Sequence, residues 1–145
     1  MARRFWTQFE RSWFRKYGNL DMPKPTVEVK EENGVTVATI RGYWTRGVSF
    51  RLKTEADDEL QNLSGSLWGP ILLLDLSKVG LVDSWGAAKF ADCMEALSNR
   101  GGESAWVCSP DRVPELDMVN FELESRNITV VMATSINLAM CALKR

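Results

Sequence analysis

The chain has 145 residues, 45% hydrophobic and 26% charged, with a net charge of −1, which suits one globular domain plus an appendage and excludes a disordered chain. It contains no histidine and three cysteines, which excludes Ser-His-Asp and Cys-His catalysis and most zinc sites. The longest wholly apolar run, residues 138–143, is far short of the roughly 20 residues of a transmembrane helix, and the first residues lack the apolar core of a secretion signal. A cytoplasmic protein is expected, with Cys93, Cys108 and Cys141 as reduced structural thiols.

Charge is unevenly placed. Residues 1–24 carry Arg3, Arg4, Arg11, Arg15, Lys16 and Lys24 against Glu10 and Asp21, and the remainder is mildly acidic. Within this segment Phe5, Trp6, Phe9, Trp13, Phe14 and Tyr17 cover about half of a helical wheel, with Arg4, Gln8, Arg11 and Arg15 opposite. The pattern predicts an amphipathic, aromatic, basic helix, stopped by Gly18-Asn19 and followed by a stiff connector with Pro23 and Pro25. Its aromatic face could bury on its own domain, on a second copy or partner, or in a membrane surface. Nucleic acid is not expected, because the basic patch is short and the rest is acidic. Residues 1–24 are therefore read as a helix and linker, and residues 25–145 as the main domain.

Alternation over 26–32, Asn33-Gly34 and renewed alternation over 35–41 predict a β-hairpin. Residues 42–49 read as a loop with Tyr43, Trp44 and Gly47, and 50–63 as a helix with Phe50, Leu52, Ala56, Leu60 and Leu63 inward. A turn leads to a strand over 71–75, apolar from Ile71 through Leu74 as in a strand covered on both faces. Asp83 and Ser84, both N-cap types, then head a helix reaching about residue 98, with Ala87, Phe90, Ala91, Met94 and Leu97 on one face and Arg100-Gly101-Gly102 as its stop. A strand over 104–108, a helix over 110–119 opened by Ser109 and Pro110, a strand over 128–132 and a helix over 136–144 capped by Thr134-Ser135 follow. The order β-β-α-β-α-β-α-β-α predicts an α/β fold: a single mixed sheet, hairpin plus largely parallel strands, packed with about four helices and preceded by the extra helix. It also presents the Ser84 hydroxyl at a helix start, at the end of a central strand, where a phosphate or a partner would meet open amides.

This order, the segment Leu72-Leu-Leu-Asp-Leu-Ser-Lys-Val-Gly-Leu-Val-Asp-Ser-Trp-Gly and the later Gly101-Gly-Glu-Ser-Ala-Trp-Val-Cys-Ser-Pro resemble the STAS domain of sulfate transporters and anti-sigma factor antagonists. The resemblance covers about residues 26–144. It implies a non-enzymatic bacterial regulatory module without cofactor or metal, which binds an anti-sigma kinase and switches partners. By position it implies Ser84 as phosphoacceptor, Asp83 as the neighbouring carboxylate and Gly86 as the helix-start glycine. The same Asp83 and Ser84 can equally be read as a plain helix cap.

Two positions depart from the family pattern. Trp85 stands for a second serine, and Thr45, in Gly42-Tyr43-Trp44-Thr45, stands for an acidic residue of the site where antagonists meet their kinase. Trp44 and Trp85 are in turn candidates for interface anchors, against a reading in which one or both fold into the core. The expected partner-binding set is thus Asp83, Ser84, Trp85, Gly86, Tyr43, Trp44 and Thr45. The alternative function is an accessory subunit of a lipid-trafficking ABC transporter, docked on its ATPase, with the aromatic helix at the membrane or on a partner. A homo-oligomer is compatible with both.

Overall fold

In the computed structural model, which describes residues 24–47, 56–65 and 71–143, the hairpin forms around a turn whose Asn33 and Gly34 have φ of 53° and 79°. Positive φ at both positions lets a two-residue turn follow the natural strand twist. It pairs β1 (Thr26–Glu32) antiparallel with β2 (Val35–Trp44), from Thr26 against Arg41 to Glu32 against Val35. The N-terminal helix predicted around Phe5, Trp6, Phe9, Trp13, Phe14 and Tyr17 lies outside the described residues, as do Phe50 and Leu52.

β2 runs three residues beyond the predicted hairpin, so Tyr43 and Trp44 belong to a strand and not to a loop. Gly42 makes this continuation possible. It has φ 88°, and a Cβ there would stand 2.1 Å from the Lys24 carbonyl oxygen. The chain entering β1 crosses β2 at backbone distance.

β3 (Ile71–Val82) also exceeds its prediction, continuing through residues 76–82. Its parallel register with β2 slips twice, between Thr39/Asp75 and Arg41/Lys78 and again between Gly42/Val79 and Trp44/Val82. Each slip is an extra residue in β3, a bulge. Leu72, Leu74 and Leu76 alternate into the main core, and the bulges then bring Val79 and Val82 to the same core. Strict alternation would have turned Lys78 inward instead. The first bulge is held by buried Asp75, whose Oδ1 accepts from the Ser77 amide at 3.1 Å and the Ser77 hydroxyl at 2.5 Å.

The sheet order is β1-β2-β3-β4-β5, with β4 (Glu103–Val107) and β5 (Val131–Ala133) parallel to β3. On one face α1 (Ala56–Gly65), α2 (Ser84–Asn99) and α3 (Asp117–Ser125) bury Leu60, Phe90, Met94 and Val119 against Ile40, Leu74 and Trp106. Residues alternating with these, Val37, Leu73 and Val107, pack with Ala139 and Leu143 of α4 (Ile136–Leu143) on the other face. Among the described residues this is the single mixed sheet packed with four α-helices of a turn or more that the element order predicts.

Two further elements differ from prediction. The helix expected over 110–119 is a 3₁₀ turn at Pro110–Arg112 followed by α3, and the buried Arg112 guanidinium reaches back to the Gly80 carbonyl and to Glu115. The last strand begins at Val131 and not at 128. The Ile128 amide is taken by the Leu123 carbonyl at 3.0 Å and Asn127 has φ 56°, an αL cap that closes α3.

Cys93 and Cys108 are buried, Cys141 exposed. Burial pushes the Cys93 thiol up to about 12 and the Cys108 thiol above its ordinary range, so neither supplies thiolate near neutrality. Native protein should therefore take up a thiol reagent at Cys141 alone, with Cys93 and Cys108 reacting only after denaturation. Equal labelling of all three in native buffer, read by mass spectrometry, would contradict this packing.

Candidate functional site at the start of α2

Asp83 is the residue on which the site is assembled. It is extended, with φ −106° and ψ −174°, and its Oδ1 accepts from the Gly86 amide at 2.9 Å, a regular N-cap bond. Its Oδ2 accepts from the Arg46 amide at 3.0 Å, and its own amide donates to the Trp44 carbonyl at 3.4 Å. One carboxylate thus ties the start of α2 to the exit of β2, adjacent strands whose ends the parallel pairing brings together.

Gly86 completes the tie. A Cβ at this position would sit 1.9 Å from the Trp44 carbonyl oxygen and 2.9 Å from the Trp44 carbonyl carbon, so α2 begins in direct contact with the β2 backbone. Ser84, the first residue of the helix, is exposed. Trp85 is half-buried, packed at the margin of the main core, with the Lys89 ammonium 5.3 Å from its ring centroid.

The expected surface role of the β2 exit is corrected. Tyr43, Trp44 and Thr45 are only 1%, 1% and 2% exposed, and as placed they offer no docking surface. The Trp44 ring lies 5.2 Å from that of Phe90, tilted by 55°, and its Nε1 donates to the Arg41 carbonyl at 3.0 Å. Burial raises the Tyr43 phenol above its ordinary range. The reading that folds Trp44 into the core is the one the structure supports, while Trp85 stays at the surface margin.

The structure therefore brings together Asp83, Ser84, Trp85 and Gly86, with Trp44 beneath them as support. It adds Arg46 and Lys89, which sequence reasoning missed. The spacing of Trp85 and Lys89, one helical turn, was a usable signal. Arg46 had none, since its bond to Asp83 spans 37 residues. Among the described residues no group of three His, Cys, Asp or Glu could hold a metal ion, and no helix is long and apolar enough to cross a membrane.

No protein-family model and no curated protein matches the chain. Solved structures do. An anti-sigma factor antagonist from Mycobacterium paratuberculosis is similar with a TM-score of 0.65 and 17% identity, over 87% of this chain and 99% of its own. RsbS from Moorella thermoacetica with a serine-to-glutamate substitution is similar with a TM-score of 0.57 and 17% identity, over 81% and 94%. A sulfate transporter family protein from Wolinella succinogenes follows at 0.54 and 18%, over 79% and 88%. At these identities the likeness is one of fold, and it is the fold that the resemblance of the sequence implied.

Proposed function

We propose that this chain, built on the STAS fold, is a regulatory protein-binding module that docks through the start of α2, with Ser84 as its phosphorylation switch. The observation that carries the reading is Ser84 itself: an exposed hydroxyl at the first position of a helix whose start is fixed to β2 through Asp83 and Gly86. A kinase needs a hydroxyl it can reach, and a partner needs a surface that does not move.

Phosphate on Ser84 would add about −1.5 to −2 charges beside the Asp83 carboxylate. The helix start tolerates it locally, whereas a partner face shaped for a neutral hydroxyl is repelled. The structural likeness to anti-sigma factor antagonists supports a partner of the anti-sigma kinase type, and the phosphoryl chemistry then belongs to that partner. The transporter-subunit reading rests on the aromatic segment around Phe5 to Tyr17, outside the described residues, and on Thr45 in place of an acidic residue, which is buried here.

The test is calorimetric titration of the full chain against the partner captured from its native host. Ser84→Ala is expected to bind like the natural protein, and Ser84→Glu about tenfold more weakly, a loss of about 1.4 kcal/mol. Equal affinities for the two variants would overturn the switch.

A further inference from the structure

We propose that the aromatic segment from Phe5 to Tyr17 folds back on its own domain, on the face of the sheet opposite α2, and that Tyr43 and Leu81 at the exit end of β2 and β3 are its seat. Its aromatic side is then closed within one chain and is not offered to a membrane.

Two buried apolar side chains stand apart from both cores. Tyr43 and Leu81 are 1% and 2% exposed, yet both lie outside the cluster around Ile40 and Phe90 and outside the cluster around Leu73 and Ala139. They share one surface. Trp44 and Val82 are strand partners that both belong to the main core, and Tyr43 and Leu81 each precede one of them, so alternation turns both to the opposite face. The cluster beneath α4 ends on Val107, level with Asp75 of β3, whereas β3 runs on to Val82. A tyrosine and a leucine this fully removed from water have further apolar atoms over them.

Of the stretches outside the described residues, 48–55 leads from Gly47 to α1 on the main-core face, and 66–70 leads from α1 to Ile71 at the other end of the sheet. The stretch before Lys24 enters at the required place. The Lys24 carbonyl oxygen would stand 2.1 Å from a Cβ at Gly42, the residue next to Tyr43, and Pro25 is buried. Its composition fits the seat, with Phe5, Trp6, Phe9, Trp13, Phe14 and Tyr17 on one side of the wheel and cations opposite. As the predicted helix it would extend about 20 Å, enough to cross the roughly 10 Å from β1 to β3. The stretch from Gly18 to Pro23 gives the chain room to turn back.

The experiment is NMR spectroscopy of the full chain, reading nuclear Overhauser contacts of the Leu81 methyl groups and the Tyr43 ring. Contacts to aromatic protons of residues 5–17 are expected within one molecule, and the natural chain should stay in the supernatant when sedimented with phosphatidylglycerol vesicles. In the full-chain variant Trp6→Ser/Phe9→Ser, hydrogen exchange at the Tyr43 and Leu81 amides should quicken about tenfold, while the amides of α3 on the other face keep their rates. Contacts to residues 48–55 in place of 5–17 would overturn the inference. So would contacts seen only between differently labelled molecules, which would make the cover a second copy, or sedimentation with the vesicles accompanied by loss of the contacts.

Discussion

Gly86→Ala is expected to destabilise the protein by about 3 kcal/mol, at the upper end of what one added methyl costs in a packed site. The sign is the informative part. In an ordinary helix interior the same replacement stabilises by roughly 0.5–1 kcal/mol, because glycine loses more backbone entropy on folding. Here the new Cβ would meet the Trp44 carbonyl oxygen at 1.9 Å and the Trp44 carbonyl carbon at 2.9 Å. These are backbone atoms and cannot rotate aside, and helix propensity is too small to offset the clash. Relief requires α2 to lift from β2, which would stretch the Asp83 amide bond to that same carbonyl and the Asp83 contact with Arg46. The variant should therefore melt roughly 10 °C lower, taking about 2–4 °C per kcal/mol. A neutral or stabilising Gly86→Ala in a denaturant titration would show that the helix start is not pressed against β2.

Trp44→Ala is expected to cost about 3–5 kcal/mol, the range for emptying a large buried aromatic site. Trp44 is among the largest fully buried side chains, packs on Phe90 and satisfies its indole N–H on the Arg41 carbonyl. Trp44→Phe keeps most of the packing and should cost less than half as much. An interface anchor would behave in the opposite way, losing partner affinity at unchanged stability. Unfolding curves of Trp44→Ala and of Trp85→Ala, followed by circular dichroism, separate the two roles. The half-buried Trp85 should leave stability within about 1 kcal/mol while weakening partner binding. A stable, cooperatively folded Trp44→Ala would place the side chain at the surface after all.

Much of the framework is legible because its signals are local. Asn33-Gly34 needs no partner to choose a hairpin turn, Gly101 takes φ 79° to close α2 wherever that helix packs, and Asp83 caps its own helix through an amide three residues away. The four-residue apolar run from Ile71 announced a strand buried on both faces, and Leu72 to Leu74 are each 3% exposed or less. The N-cap also placed the Ser84 hydroxyl, since the side chain that follows an Asp cap at a helix start is displayed by the geometry of the cap.

The misses around the candidate site share one reason. The length of β3, the burial of Trp44 and the contact of Arg46 with Asp83 all depend on how β2 and β3 lie against each other. A strand that carries two extra residues looks, along the chain, like a strand followed by a loop. Only its neighbour's register reveals that Asp75 and Ser77 clamp a bulge and that Val79 and Val82 return to the core. Trp44 and Trp85 carry the same composition signal, and the difference between a supporting post and a surface aromatic lies in which one the helix start covers. The sequence by itself determined most of the order of elements, the Asp83 and Ser135 caps and the exposed serine, because these follow from dihedral preferences and hydrogen bonds within a few residues. The tertiary structure alone decided which aromatic is core and which charges frame the serine, because burial and electrostatic environment come from strands and helices distant in the chain being brought within contact range.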